Sequence, residues 1–221
     1  MQNSSLRIAS IVVLVFFTVS IGFAQTRSGK LGIGVAGTGY YLFQSDLKTN
    51  DPSGGGAVSL TYSIVENISL RSLLGVGYLA GTQKVAPPAT TGKSIETNLY
   101  HWNLAISYDI LPHSQFNPFV YVGGGLLWFD PRESNGAQLA GAGVPRFDTN
   151  YLAGIGFDYF FDEFWAITLS AEGVGGFNSW LDGTKTGTND MYARVSLGLR
   201  FHVFDQNFVK RMIDAFEQRG K

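Results

Sequence analysis

The chain has 221 residues, a formal net charge of −1 and no cysteine. A length of this order suits one domain. The absence of cysteine excludes disulfides, thiolate metal sites, a Cys nucleophile and an acylated N-terminal Cys, and the near-neutral balance offers no basic footprint to nucleic acid. Charged residues make up only 15 % of the chain while glycine occurs 28 times, so broad charged, solvated surfaces are scarce.

Residues 1–24 read as a targeting segment. Arg7 supplies the positive start, and Ile8–Val19 is an apolar run too short to cross a bilayer comfortably as a helix. Gly22-Phe23-Ala24 has the small-x-small form of a cleavage site, which predicts an exported chain cut after Ala24. No later stretch is apolar for the ~18 residues that a membrane-crossing helix needs.

The remainder reads as eight strands. Lys30–Gln44 is the first, with Leu31, Ile33, Val35, Tyr41 and Phe43 on one face, and the polar run Ser45–Gly55 is its following loop. The second, Gly56–Val65, sets Val58, Leu60, Tyr62 and Ile64 against Ala57, Ser59, Thr61 and Ser63. After a turn at Glu66-Asn67 comes Ile68–Ala80, then a long loop, Gly81–Glu96. The fourth strand, Thr97–Ile110, alternates Tyr100, Trp102, Leu104, Ile106 and Tyr108 with His101, Asn103, Ala105, Ser107 and Asp109. Leu111–Asn117 connects it to Pro118–Phe129, where Val120, Val122, Leu126 and Trp128 are taken as the outer face. Asp130–Asp148 is the longest loop. Thr149–Phe161 and Phe164–Gly176 follow, joined by the turn Asp162-Glu163, and Phe177–Asn189 leads to the last strand, Asp190–Phe204. There every odd position from Met191 to Val203 is apolar, and Tyr192, Arg194, Ser196, Gly198, Arg200 and His202 take the even ones. A period of 2 held for more than a dozen residues is a strand with two unlike faces. It is long for a soluble sheet and suited to a tilted membrane-crossing strand.

Connections alternate strictly, long after odd strands and short after even ones, as in a membrane barrel with extended external loops and brief periplasmic turns. Aromatics gather at strand ends. Tyr40, Tyr41, Tyr78, Tyr100, Trp102, Trp128, Phe129, Tyr151 and Tyr192 fall near the long loops; Tyr62, Tyr108, Phe116, Tyr159, Phe161, Phe164, Trp165 and Phe201 fall near the short turns. Two girdles at headgroup depth account for both sets.

The minor faces carry Arg71, His101, Asp109, Asp158, Glu172, Arg194, Arg200 and His202. Facing lipid, charge at mid-membrane costs roughly 2–4 kcal/mol per residue, so these groups point inward and pair. Arg71, Asp109, Asp158 and Arg200 belong to a layer near the periplasmic end, His202 lies at that end of the last strand, and Glu172 with Arg194 is the favoured single pair. Inner-face glycines more often make room for bulky neighbours or let strands bend. In the roomier alternative, Gly32, Gly34, Gly75, Gly77, Gly154 and Gly156 leave the external half open. The tail Asp205–Lys221 changes to helical spacing, with Phe208, Val209, Met212, Ile213 and Phe216 on one face. It is expected to pack on the lower rim or lie in the interface; docking to a periplasmic partner is the alternative.

Residues ~30–204 resemble the small eight-stranded outer-membrane β-barrel family, the group that includes the membrane domain of outer membrane protein A. The carrying stretches are Asn117–Gly125, Gly154–Tyr159 with Glu172 downstream, and the last strand. In that strand Ser196, Gly198, Phe201 and Val203 fit the polar-x-Gly-x-x-apolar-x-apolar signal read by the barrel-assembly machinery. The resemblance implies an all-β, eight-stranded, antiparallel up-and-down transmembrane barrel (25–204), to which the helical spacing of the tail adds a short C-terminal amphipathic helix (205–221). It also implies a place in the outer membrane, against its lipid and lipopolysaccharide.

Catalytic chemistry finds little footing. Barrel enzymes of this kind imply a His near the external loops or a His/Ser pair on the outer wall; His113 falls in a short turn, His101 on an inner face and His202 at the periplasmic end. No cluster has metal-ligand spacing, and Gly123–Gly125 is not followed by the lysine and helix of a phosphate loop. The expectation is a non-enzymatic protein without cofactor, structural or surface-interacting, with a narrow porin-like channel or small-solute binding barrel as the alternative.

Overall fold

The computed structural model describes residues 29–44, 47–51, 53–83, 94–133, 136, 146–162, 164–177, 181 and 189–204. The targeting segment at 1–24 and the tail helix at 205–221 lie outside the described residues, as do the central parts of the long connections.

Nine strands form: β1 (Leu31–Gln44), β2 (Leu47–Asp51), β3 (Ser53–Val65), β4 (Ile68–Gln83), β5 (Ser94–Asp109), β6 (Phe116–Glu133), β7 (Phe147–Phe160), β8 (Trp165–Gly176) and β9 (Met191–Phe204). All pairings are antiparallel, and the β4–β5 ladder closes the sheet into a ring of β1, β3, β4, β5, β6, β7, β8 and β9. β2 pairs with Ala80–Gln83 of β4, just beyond the Gly55–Gly77 end of the β3–β4 ladder. It therefore prolongs the wall that β3 begins, and the barrel has eight staves. The expected loop Ser45–Gly55 is largely strand. Its polar, Gly-rich composition suppressed a strand reading, yet β4 offers it a partner.

Closure matters because hydrocarbon has no water to satisfy a free strand edge. The seam joins the first stave to the last: β1 pairs with β9 from Leu31↔Phe204 to Gln44↔Met191, with register irregularities at both ends. The three short connections are pinned locally. Asp162 Oδ1 accepts from the N–H of Phe164 (2.7 Å) and of Trp165 (2.6 Å), Asn67 Nδ2 donates to the Asp109 carbonyl (2.9 Å), and the Leu111 N–H donates to Asn117 Oδ1 (3.2 Å).

Side chains alternate as the period requires, and the alternation along β5 is unbroken. The outer face is apolar, with Val122, Ile155, Leu197 and Ile106 all exposed. Several strands run further at the loop end than expected. β5 has 16 residues and β6 has 18, against the ~9–11 that a tilted crossing needs. Tyr41, Tyr78, Tyr100, Trp102, Trp128 and Tyr151 face outward at the loop end, and Tyr62, Tyr108, Tyr159, Phe161, Phe164 and Trp165 at the turn end. Tyr40, Phe129 and Tyr192 depart from the expected girdle: they are buried in the lumen. Each sits on the inner parity of its strand, and parity overrides proximity to a strand end.

Leu197 stands outward, halfway along β9. Leu197→Arg is expected to cost the refolded barrel about 2–4 kcal/mol, read by denaturant unfolding in lipid vesicles. An unchanged midpoint would mean that this face does not meet hydrocarbon.

Candidate functional site

The candidate site is the lumen, and its centre is Arg194 on β9, with no exposed surface. Glu172 stands opposite it on β8, in direct register, and its Oε1 accepts from Arg194 Nε. Arg194 Nη1 lies 2.9 Å from His101 Nδ1 and 2.7 Å from Nε2, and Nη2 donates to Asn103 Oδ1 at 3.3 Å. A guanidinium only donates, so the facing imidazole nitrogen must carry a lone pair. The nearer of the two, Nε2, also lies 3.2 Å from Tyr40 Oη, and which of these groups donates depends on the imidazole tautomer. Tyr121 Oη donates to Glu172 Oε2 at 2.9 Å, and Asn103 Nδ2 donates to Asn150 Oδ1 at 2.6 Å. A buried ion pair repays its desolvation only when its other lone pairs and protons are also satisfied, and here β1, β5, β6 and β7 supply the extra partners.

Towards the short turns lies a second polar layer. Arg200 Nη1 donates to Asp158 Oδ2 at 2.7 Å, and Thr168 Oγ1 donates to Asp158 Oδ1 at 2.7 Å. Asp109 accepts from Ser69 Oγ (3.1 Å) and Asn117 Nδ2 (2.9 Å), both neutral donors. Arg71 shares this region but has no carboxylate within ion-pair distance among the described residues. Its guanidinium lies over the Phe119 ring, 4.1 Å from the centroid, and 5.3 Å from that of Tyr121. The expected pairing of Arg71 inside the layer is replaced by a cation–π contact, because Asp158 is taken by Arg200 and Asp109 by amide and hydroxyl donors. His202 is half-buried at the rim, its Nδ1 3.3 Å from the Phe164 carbonyl and its ring 5.3 Å from that of Phe160, outside the ion pairs. His113 lies in a short connection, 3.4 Å from Glu66, with both side chains about half exposed.

Towards the long connections the lumen is apolar. Leu42, Leu79, Leu99, Leu127, Phe129 and Val174 are buried there in one cluster with Tyr40 and Tyr192. Leu181, from the β8–β9 connection, is buried among them; its N–H donates to Asp190 Oδ2 and its carbonyl accepts from Thr97 Oγ1, both at 2.8 Å. The sequence reading missed this layer. Its signal was present: single apolar residues on the otherwise polar parity, close to the loop ends. The inner glycines do not leave the outer half roomy. A Cβ on Gly77 would meet the Tyr40 ring at 2.5 Å, and one on Gly75 would meet His101 at 2.5 Å. Gly154 and Gly156 make the same room for Tyr121 and Phe119, again at 2.5 Å.

Of the proposed assembly signal, Ser196 is buried on the inner face, while Phe201 packs against Trp165 with 4.8 Å between ring centroids. A Cβ on Gly198 would come within 2.7 Å of the Ala36 Cβ, so that position is held small by β1. Among the described residues no group of three or more His, Cys, Asp or Glu could hold a metal ion, and no helix is long and apolar enough to cross a membrane.

Residues 9–201 match the family described as outer membrane protein beta-barrel domain. Three solved structures share the architecture. OprG of Pseudomonas aeruginosa, an outer membrane protein, is 14 % identical, with 83 % of this chain and 100 % of that one covered and a TM-score of 0.55. Ail of Yersinia pestis, the attachment invasion locus protein, in complex with the heparin analogue sucrose octasulfate, is 13 % identical over 80 % and 99 %, TM-score 0.52. Neisserial surface protein A is 14 % identical over 79 % and 96 %, TM-score 0.50. At these identities the likeness is one of fold. No curated protein matches the chain.

Glu172→Ala leaves the Arg194 guanidinium buried and uncompensated, at an expected cost of about 3–5 kcal/mol. Adding Arg194→Met should recover most of that loss, as a double-mutant unfolding cycle would read. Additive losses would show that the two side chains do not act as a pair.

Proposed function

The chain belongs to the outer membrane protein beta-barrel domain family, and we propose that it serves as an integral outer-membrane barrel with a structural or surface-interaction role rather than as an open pore or an enzyme. The observation that carries this reading is the closed lumen. An apolar layer lies over a guanidinium with no exposed surface, and a ring of eight strands is just wide enough for side chains to fill. With the fixed interior occupied, the variable chemistry of the molecule is in its four long connections, which this reading sets on the cell surface. They carry both signs of charge together with many Gly, Ala and Thr residues, a mixture that selects no ligand class by charge alone.

The rest of the reading follows from the same placement. Residues 1–24 act as a cleaved export signal, and 205–221 form a periplasmic amphipathic helix, at the rim or against a periplasmic partner. Ser196, Gly198, Phe201 and Val203 are read by the assembly machinery, and the outer face meets membrane lipid and lipopolysaccharide. Arg71, Asp109, Asp158, Glu172, Arg194, Arg200 and His202 hold the staves in register rather than conduct solutes or turn over a substrate.

The test is electrical. Protein refolded in detergent, shifted in mobility by boiling as a closed barrel is, is expected to give no steady conductance in planar bilayers. A continuous, salt-dependent current from the folded species would overturn the closed-lumen reading in favour of a narrow channel.

A further inference from the structure

Three staves run past the aromatic girdle at the loop end. The β4–β5 ladder continues beyond Tyr78↔Asn98 to Thr82↔Ser94, and the β5–β6 ladder beyond Tyr100↔Trp128 to Ile95↔Glu133. On the other side of the ring β8 stops at Gly176, next to the exposed Phe177, and β9 begins at Met191. The girdle on the taller side consists of Tyr78, Tyr100, Trp128 and Phe147, all exposed on the outer face, with 5.3 Å between the rings of Trp128 and Phe147. Successive outward residues lie about 7 Å apart along a strand. The headgroup layer beside the hydrocarbon core is about 5–7 Å deep. The next outward row, Asn98 paired with Asp130, therefore stands among lipid headgroups, and Glu96 paired with Arg132 stands just above it.

Asp130 ties this wall together. Its Oδ2 accepts from Arg132 Nε at 2.8 Å and lies 2.7 Å from Nη2 of the same guanidinium, while Oδ1 is 3.5 Å from Nη2 of Arg146, the residue before β7. Both arginine side chains are nearly half exposed, and Asn98 and Glu96 are exposed beside them. The wall thus presents guanidinium donors, carboxylate acceptors and an amide that does both, directly above a strip of aromatic faces.

That mixture selects the ligand. A phosphate drawn to either arginine meets the Asp130 carboxylate that holds them. A sugar hydroxyl has no such conflict: it donates to a carboxylate and accepts from a guanidinium at once. The C–H face of a sugar ring also packs on an aromatic face, whose π-cloud is negative. Because the wall continues the lipid-facing surface below it, the sugar arrives on a molecule whose acyl chains lie along that surface.

We propose that the outer wall of β5 and β6 above the girdle is a docking site for the sugar head of an outer-leaflet glycolipid, held by Asn98, Asp130, Arg132 and Arg146 over Tyr100 and Trp128. The site deepens the lipopolysaccharide contact proposed above, and its place in the cell rests on the long connections being external. It is built on paired strands, so it is formed before the lipid arrives.

The test uses the refolded, isotope-labelled chain in phosphatidylcholine nanodiscs, titrated with rough-type lipopolysaccharide or with phosphatidylglycerol at the same mole fraction. Saturable shifts of the Asn98 side-chain amide, the Arg132 Nε–H and the Trp128 indole resonances are expected with the glycolipid alone. Equal shifts with both lipids, or a shift of the turn-end Trp165 indole as large as that of Trp128, overturn the site on the unaltered chain. Asp130→Asn is expected to weaken glycolipid binding about tenfold, the loss of one charge-assisted hydrogen bond. Tighter binding in that variant would mean that an anionic group occupies the wall, and overturns the sugar assignment. Glycolipid in both leaflets reaches the loop end whichever way the barrel inserts, so failure here is separate from failure of the external placement, and conductance does not enter.

Discussion

Arg194 can be held without solvent only because two opposite walls of the barrel reach it. β5 lies equally far from β9 in either direction round the ring, and it supplies His101 and Asn103; β8, the neighbouring stave, supplies Glu172. Tyr40 and Tyr121 hold the histidine and the carboxylate in turn. One side chain thus ties the neighbouring wall to the far one. A break in any of these contacts would strand a buried charge, so the cross-section has little freedom to change. The apolar layer beyond it is a consequence of the same requirement: it keeps water away, and the hub keeps its full electrostatic strength.

Much of this was legible in the sequence. Period-2 alternation alone decides which side of a stave faces lipid, and ionisable residues on the minor parity of several strands leave no choice about where they point. Glu172 and Arg194 could be paired because strand direction and turn position fix their depth. What could not be read is how neighbours share partners. Asp158 and Asp109 each have several donors within reach, and only packing decides that Arg200 wins the first and neutral groups the second, leaving Arg71 to the Phe119 ring. Tyr40, Phe129 and Tyr192 show a related limit. An aromatic near a strand end looks like an interfacial anchor until its parity is weighed above its position.

The lumen also shows why eight staves suffice. Bulky inward side chains are set against glycines on nearby staves: His101 against Gly75, Tyr121 against Gly154 and Phe119 against Gly156 across one ladder, and Tyr40 against Gly77 two staves away. A large side chain from one wall occupies volume that the next wall has vacated. The interior therefore fills in layers, and glycine in these strands serves packing.

The seam between β1 and β9 carries a consequence for how the barrel comes to exist. Leu31 meets Phe204, so the ladder that finishes the ring joins the first and last strands of the chain. The other ladders of the ring join strands that follow one another, apart from the short β2 that comes between β1 and β3 in the chain and pairs with β4, and can zip as hairpins. Loop-closure entropy makes this the slowest ladder to nucleate. Until it forms, the chain is an open sheet with two unsatisfied edges, which is an aggregation hazard in water and a forbidden state in hydrocarbon. The gap between hairpin formation and closure is thus the vulnerable interval in the life of the molecule. The closing stave β1 carries glycines at 32, 34, 37 and 39, so ordering it costs more backbone entropy than a strand without them would.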